Sequence, residues 1–165
     1  MELENQTTKQ AYIHMLTDTL RRKLTVLEGL MGLTEQQNEI ISSDTFMEEE
    51  FLLTISLKEE QLEKLTQLDD GFEKLYESVK EELAQSKALY KAEILTLQEL
   101  VSKITDYSVK LQVLEKRNKA KLDTLFARKR QEIRSSRMSS QTAANYYKTM
   151  VKQQEAQSFF YDKKN

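Results

Sequence analysis

Apolar residues recur along this chain at steps of three and four over three long stretches, with polar residues filling the positions between them. From about Thr8 to Ile41 the series is Ile13, Leu16, Leu20, Leu24, Leu27, Met31 and Ile41, which draws one apolar stripe on a helix. Ser42-Ser43-Asp44 then offers N-cap chemistry, with Glu48 in reach of a reciprocal cap, so a second helix is predicted from residue 44. It uses Phe51, Leu52, Ile55, Leu62, Leu65, Leu68, Phe72, Leu75, Tyr76, Val79 and Leu83. Asp69-Asp70-Gly71 is the best breaker inside it, but the apolar phase continues beyond, so a kink is preferred there and a turn is the alternative. A third series runs through Ile94, Leu97, Val101, Ile104, Leu111, Leu114, Leu122, Leu125 and Ile133. Ser108 and Asn118 interrupt its seam, as polar residues that set register do.

Without a break between the second and third series, a single helix would run for about 90 residues, roughly 135 Å. A turn near Leu83 to Ala88 is therefore expected. The predicted fold is all-α, an elongated antiparallel three-helix bundle or coiled coil with helices at about 8–41, 44–84 and 88–135. The bundle spans residues 1–137, and residues 138–165 form a C-terminal tail.

Composition sharpens this picture. The chain has three glycines and no proline, too little material for the many tight turns of an all-β fold. Gly29 and Gly32 each weaken the first helix by up to ~1 kcal/mol relative to alanine and mark a bend or a close helix approach. A charged fraction of 32% beside a hydrophobic fraction of 39% is enough for a narrow seam along each helix and too little for a thick core.

Charge is unevenly spread. Asp44 to Glu82 holds 13 acidic and 4 basic residues, a net of −9, whereas Lys110 to Arg137 holds 10 basic and 3 acidic, a net of +7. Folding the chain back near residue 86 sets Lys110 beside Leu62 and Arg130 beside Ser42. The basic half then meets the cluster Glu48, Glu49, Glu50, Glu59 and Glu60, an arrangement that selects an antiparallel orientation. The overall net charge of −2 argues against a dedicated nucleic-acid or anionic-membrane binder. Arg128-Lys129-Arg130, with Arg134 and Arg137, is read first as a partner of the acidic second helix and second as a phosphate-binding patch.

Catalytic chemistry has little to work with. There is no cysteine, and His14 is the sole histidine, read as a helix-surface residue. Glu59-Glu60 and Glu81-Glu82 are sequence neighbours that do not face one another on a helix, so they make poor acid–base pairs. The isolated glycines form no phosphate loop. The expectation is a binding protein with no enzymatic activity, no cofactor and no metal. No apolar run approaches the ~20 residues of a membrane span. Met1 is followed by Glu2-Leu3-Glu4 rather than by a basic stretch leading into an apolar core, and the reading is cytoplasmic.

The last twenty residues carry Tyr146, Tyr147, Phe159, Phe160 and Tyr161, five of the chain's 13 aromatics, with Met150 and Val151 among them. These seven are the candidate partner-binding residues, since clustered apolar side chains in a tail mark a docking segment. Two arrangements are open. The tail folds back to cover a seam that lacks a fourth helix, or it folds on a partner or yields its place to a partner helix; self-masking would join the two.

Several pieces of the sequence resemble the FlgN-like flagellar export chaperones. They are the opening helix with Leu20, Leu24 and Leu27; the Ser-Asp step into a helix carrying Phe51-Leu52 and Lys58-Glu59; Leu68-Asp69-Asp70-Gly71-Phe72-Glu73; Glu115-Lys116-Arg117-Asn118 before Leu122; and the end from Tyr146-Tyr147 to Gln157-Ser158-Phe159-Phe160-Tyr161-Asp162-Lys163-Lys164. The resemblance implies a bacterial cytoplasmic chaperone that holds hook-filament junction (hook-associated) proteins unassembled and delivers them to the flagellar type III export gate. It implies client capture by the C-terminal region, residues 138–165 here, and docking on the export gate through a tyrosine. The partners are then protein clients and an export-gate component, with no nucleic acid and no membrane insertion, for a monomer or alternatively a homodimer. The rival readings are a generic coiled-coil scaffold or homodimeric interaction module, and an RNA- or membrane-associated helical protein using Arg128 to Arg137.

Overall fold

The computed structural model describes residues 2–132 and 145–153, and among these the chain is helical except at 43–47 and 86–90. Three long helices follow one another: α1 (Glu2–Ser42), α2 (Glu48–Gln85) and α3 (Lys91–Glu132). A short fourth helix, α4, covers residues 145–153. The described residues contain no strand.

The seams read from periodicity become the core. Ile13, Leu16, Leu20, Leu27 and Leu30 of α1 are buried with Phe51, Ile55, Leu62, Leu65, Phe72 and Val79 of α2, and with Leu97, Leu100, Ile104, Leu111 and Leu122 of α3. Leu24, Met31, Leu75 and Leu125 pack half-buried at the margins. Each fully buried aliphatic side chain contributes about 1.5–3 kcal/mol, so these stripes supply the driving force that helix propensity alone would not.

Close backbone approach is made by α1 to α2 and by α1 to α3, so α1 is the shared element. Cross-helix contacts fix the directions. Lys9 Nζ donates to the Ser78 carbonyl (3.2 Å), Lys23 pairs with Asp69, and Lys58 Nζ donates to Gln37 (2.8 Å), so α1 and α2 run antiparallel. Thr34 and Asn38 meet Glu115 and Lys121, so α3 runs parallel to α1 and antiparallel to α2. A fold-back at residue 86 puts residue 58 opposite 114; the structure pairs Lys58 with Glu115, one residue away.

The turn between α2 and α3 falls where expected. Ser86 N–H closes on the Glu82 carbonyl (2.9 Å), and the Ser86 carbonyl accepts from the amides of Leu89 (3.0 Å) and Tyr90 (3.2 Å), with no positive φ among the described residues.

Three expectations are corrected. The second helix begins at Glu48, not residue 44: Met47 is its N-cap without a side-chain cap bond, and Ser43 and Asp44 lie in the connecting bend. Three glutamates in the first turn, Glu48 to Glu50, place negative charge at the positive end of the helix dipole instead. At Asp69-Asp70-Gly71 the alternative of a turn drops out and the preferred continuation of the helix holds, since α2 runs unbroken through it and Asp69 is itself buried. Gly29 and Gly32 mark no close approach, since no atom from elsewhere lies within 4 Å of where either Cβ would stand. The acidic face of α2 does not clamp the basic half of α3: Glu49, Glu50, Glu59 and Glu60 are exposed and make no ion pair among the described residues. Exposed pairs between long side chains yield only ~0–1 kcal/mol each, too little to hold that geometry. The first and third helices also differ at their ends, since α1 starts at Glu2 and α3 at Lys91.

Candidate functional site: a groove filled by the chain's own C-terminal segment

The inward positions of all four helices are not uniformly apolar. Midway along the molecule the seam carries Thr34 and Gln37 from α1, Lys58 from α2, Glu115 and Asn118 from α3, and Tyr146 from α4, each at most 4% exposed. Each stands in helical phase with the apolar residues around it, Lys58 lying between Ile55 and Leu62, and Glu115 and Asn118 between Leu111 and Leu122. The same stripe that builds the core therefore delivers these polar groups to one level.

Glu115 Oε1 is the hub. It receives the Lys58 ammonium, the Tyr146 hydroxyl (2.6 Å) and the Thr34 hydroxyl (3.0 Å), which shares its one proton with the Leu30 carbonyl (2.7 Å). Lys58 Nζ also donates to Gln37 Oε1 (2.8 Å) and stands 4.4 Å from the centre of the Tyr146 ring, over its face. Asn118 Nδ2 donates to the Thr34 carbonyl (2.9 Å). Burial pushes the Lys58 ammonium down to about 8, against the attraction of Glu115. Burial also pushes the Tyr146 phenol well above its ordinary value, and the Glu115 carboxylate adds to that, so Tyr146 is a firm proton donor.

α4 closes the side of the assembly where α2 and α3 face each other away from α1. Tyr146, Met150 and Gln153 are its buried residues, spaced as one helical face. Gln153 donates to the Thr66 hydroxyl of α2 and to the Leu62 carbonyl (3.4 Å). Tyr147 is half-buried, meets Tyr146 edge-to-face at 5.2 Å between centroids, and has Lys119 Nζ 5.9 Å from its own. Its phenol is raised by burial first, then by Glu115 and Asp123.

Of the seven candidate partner-binding residues, Tyr146 and Met150 thus face inward, Tyr147 lies at the margin, and Val151 is 52% exposed. Phe159, Phe160 and Tyr161 lie outside the described residues. Of the two interrupting seam residues, Asn118 is wholly buried and bridges α3 to α1, while the Ser108 hydroxyl donates to the Ile104 carbonyl of its own helix (2.7 Å). His14 is exposed on α1. Lys58, Glu115, Gln37 and Gln153 are absent from the candidates read from the sequence. Their signal was a gap in the apolar ladder: the steps from Ile55 to Leu62 and from Met31 to Ile41 are too long unless polar residues occupy the missing rungs.

A second polar pair lies further along, where Lys23 and Asp69 meet across α1 and α2, each mostly buried. Burial lowers the Lys23 ammonium and raises the Asp69 carboxyl, each opposed by the partner's charge. Among the described residues no group of three His, Cys, Asp or Glu side chains is placed to hold a metal, and no helix is long and apolar enough to cross a membrane. Comparison of the chain with protein-family models, with curated proteins and with solved structures returns no match.

Proposed function

We propose that this chain is a non-enzymatic cytoplasmic export chaperone of the FlgN-like kind, which holds hook-filament junction proteins unassembled and brings them to the flagellar type III export gate. In this reading the three long helices form an elongated antiparallel bundle, and residues 138–165 are its client-docking tail. The observation that carries the reading is the seating of α4 between α2 and α3. A segment of nine described residues fills a helix-sized groove through three buried side chains, Tyr146, Met150 and Gln153. So small a contact is exchangeable, and helix-in-groove capture is a common way to hold a partner helix. The sequence features that resemble the family point to the client class.

Co-expression of the full chain with the hook-associated proteins encoded in the same genome tests this. The expected result is a one-to-one complex by light scattering, together with loss of hook-associated protein from the secreted fraction when the gene is deleted. A chain that retains none of those proteins and is an obligate dimer overturns it in favour of a scaffold.

A further inference from the structure

Once α4 is viewed as the occupant of a groove, the groups that it satisfies define what else that groove accepts. This inference rests on the proposed function in one respect only, that a partner helix takes the place of α4.

Tyr146 meets a carboxylate and an ammonium at once. Its hydroxyl donates to Glu115 Oε1 at 2.6 Å and its ring face lies under Lys58 Nζ at 4.4 Å. Both charges are almost fully buried, at 4% and 0% exposure. An acidic side chain in the same place would face the Glu115 carboxylate, and a basic one would face the Lys58 ammonium. An aliphatic one would remove a donor from a buried acceptor and the ring from a buried cation, which is costly because neither group regains water. A phenol answers both charges with no charge of its own.

Seven residues on, at the same face two turns later, Gln153 supplies N–H groups to the Thr66 hydroxyl and the Leu62 carbonyl. Between them Met150 is 5% exposed within the core cluster. The three positions follow the i, i+4, i+7 spacing of a single helical face.

We propose that the α2–α3 groove selects a partner helix bearing a tyrosine, an apolar residue four positions later and a primary amide seven positions later, so that the client displaces α4 by reproducing its chemistry. The recognition is neutral at the surface of the ligand and is read by a buried ion pair. Basic or acidic helices of equal hydrophobicity are refused.

The probe is a labelled peptide with the sequence of residues 142–156. A tethered segment competes at an effective concentration on the order of millimolar, so the receptor is the full chain carrying Tyr146→Ala and Met150→Ala. Anisotropy is expected to show binding of the parent peptide. Peptides with Tyr146→Phe or Gln153→Leu should bind about tenfold or more weaker, as loss of a hydrogen bond to a buried charged or polar group implies. Equal affinity of the Tyr146→Phe peptide overturns the proposal, and so does absence of binding to a receptor whose helicity is intact. If the doubly substituted receptor does not fold, the unsubstituted chain titrated with millimolar peptide and followed by NMR must give the same ranking, and an absent ranking is equally fatal. A flat ranking alongside retained hook-associated protein leaves the chaperone reading standing, whereas a sharp ranking without any such client removes that reading and keeps the recognition chemistry.

Discussion

Lys58 carries the most deeply buried charge among the described residues, and its proton is contested. Its folded value of about 8 lies below its ordinary 10.5. Between those two values the unfolded chain binds more protons than the folded one, so stability rises with pH across that window, by at most about 1.4 kcal/mol per pH unit. Lys23, lowered by burial, acts in the same sense. Tyr146 acts in the opposite sense, but only above about 10, where unfolded tyrosines ionise and the buried phenol does not. Urea midpoints should therefore climb from pH 8 to pH 10 and fall beyond. Lys58→Met should remove most of the climb and cost about 3–5 kcal/mol at pH 7, since it leaves the Glu115 carboxylate buried without its ammonium. Denaturation curves at fixed pH values check both. Lys58 also shows why residue-scale reading of the sequence stopped short. A lysine in an acidic helix reads as surface, and only its place on the apolar rungs between Ile55 and Leu62 marks it as interior.

At the scale of elements, the period of the apolar residues carried most of the information. The three long helices followed from spacing, because burial of a stripe leaves a helix few other ways to lie, and the turn near residue 86 followed from the length that an unbroken helix would need. Boundaries followed less well. Ser42-Ser43-Asp44 has cap chemistry, yet α1 runs to Ser42 and α2 starts at Glu48, so the tertiary path of the connection outweighed the local preference. At Gly71 the apolar phase was the better guide than the local breaker: packing of Asp69 and Phe72 on either side holds the helix through a residue that locally disfavours it. The placement of α4 in the groove had only half a signal, since Tyr146, Met150 and Gln153 share a face but nothing in their spacing names the surface that they meet. The same helical glycines supply a test. Gly29, Gly32 and Gly71 all lie inside helices, have no positive φ, and leave open space where a Cβ would stand. Replacing each by alanine should stabilise the chain by about 0.5–1 kcal/mol. Calorimetry should show a rise of roughly 2–4 °C per kcal/mol for a chain of this size.

For the whole molecule, helix length sets the shape. The 42 residues of α3 span about 63 Å. A compact globule of this chain length would have a radius of gyration of about 15 Å. Small-angle scattering should instead give a value near 20 Å, with a distance distribution skewed to long separations; a symmetric distribution centred on a 15 Å globule would contradict the helix packing. The charge asymmetry belongs to this scale too. The ion pair that joins α2 to α3 has its base on the acidic helix and its acid on the basic one, so the bulk fields of the two halves are left facing solvent rather than consumed between them. Chain order adds a consequence to the position of α4. The groove walls α2 and α3 and the helix that fills the groove belong to one chain, with Tyr146 only 14 residues beyond Glu132, so any outside helix meets a tethered rival that never diffuses away and must outbind it at a high local concentration.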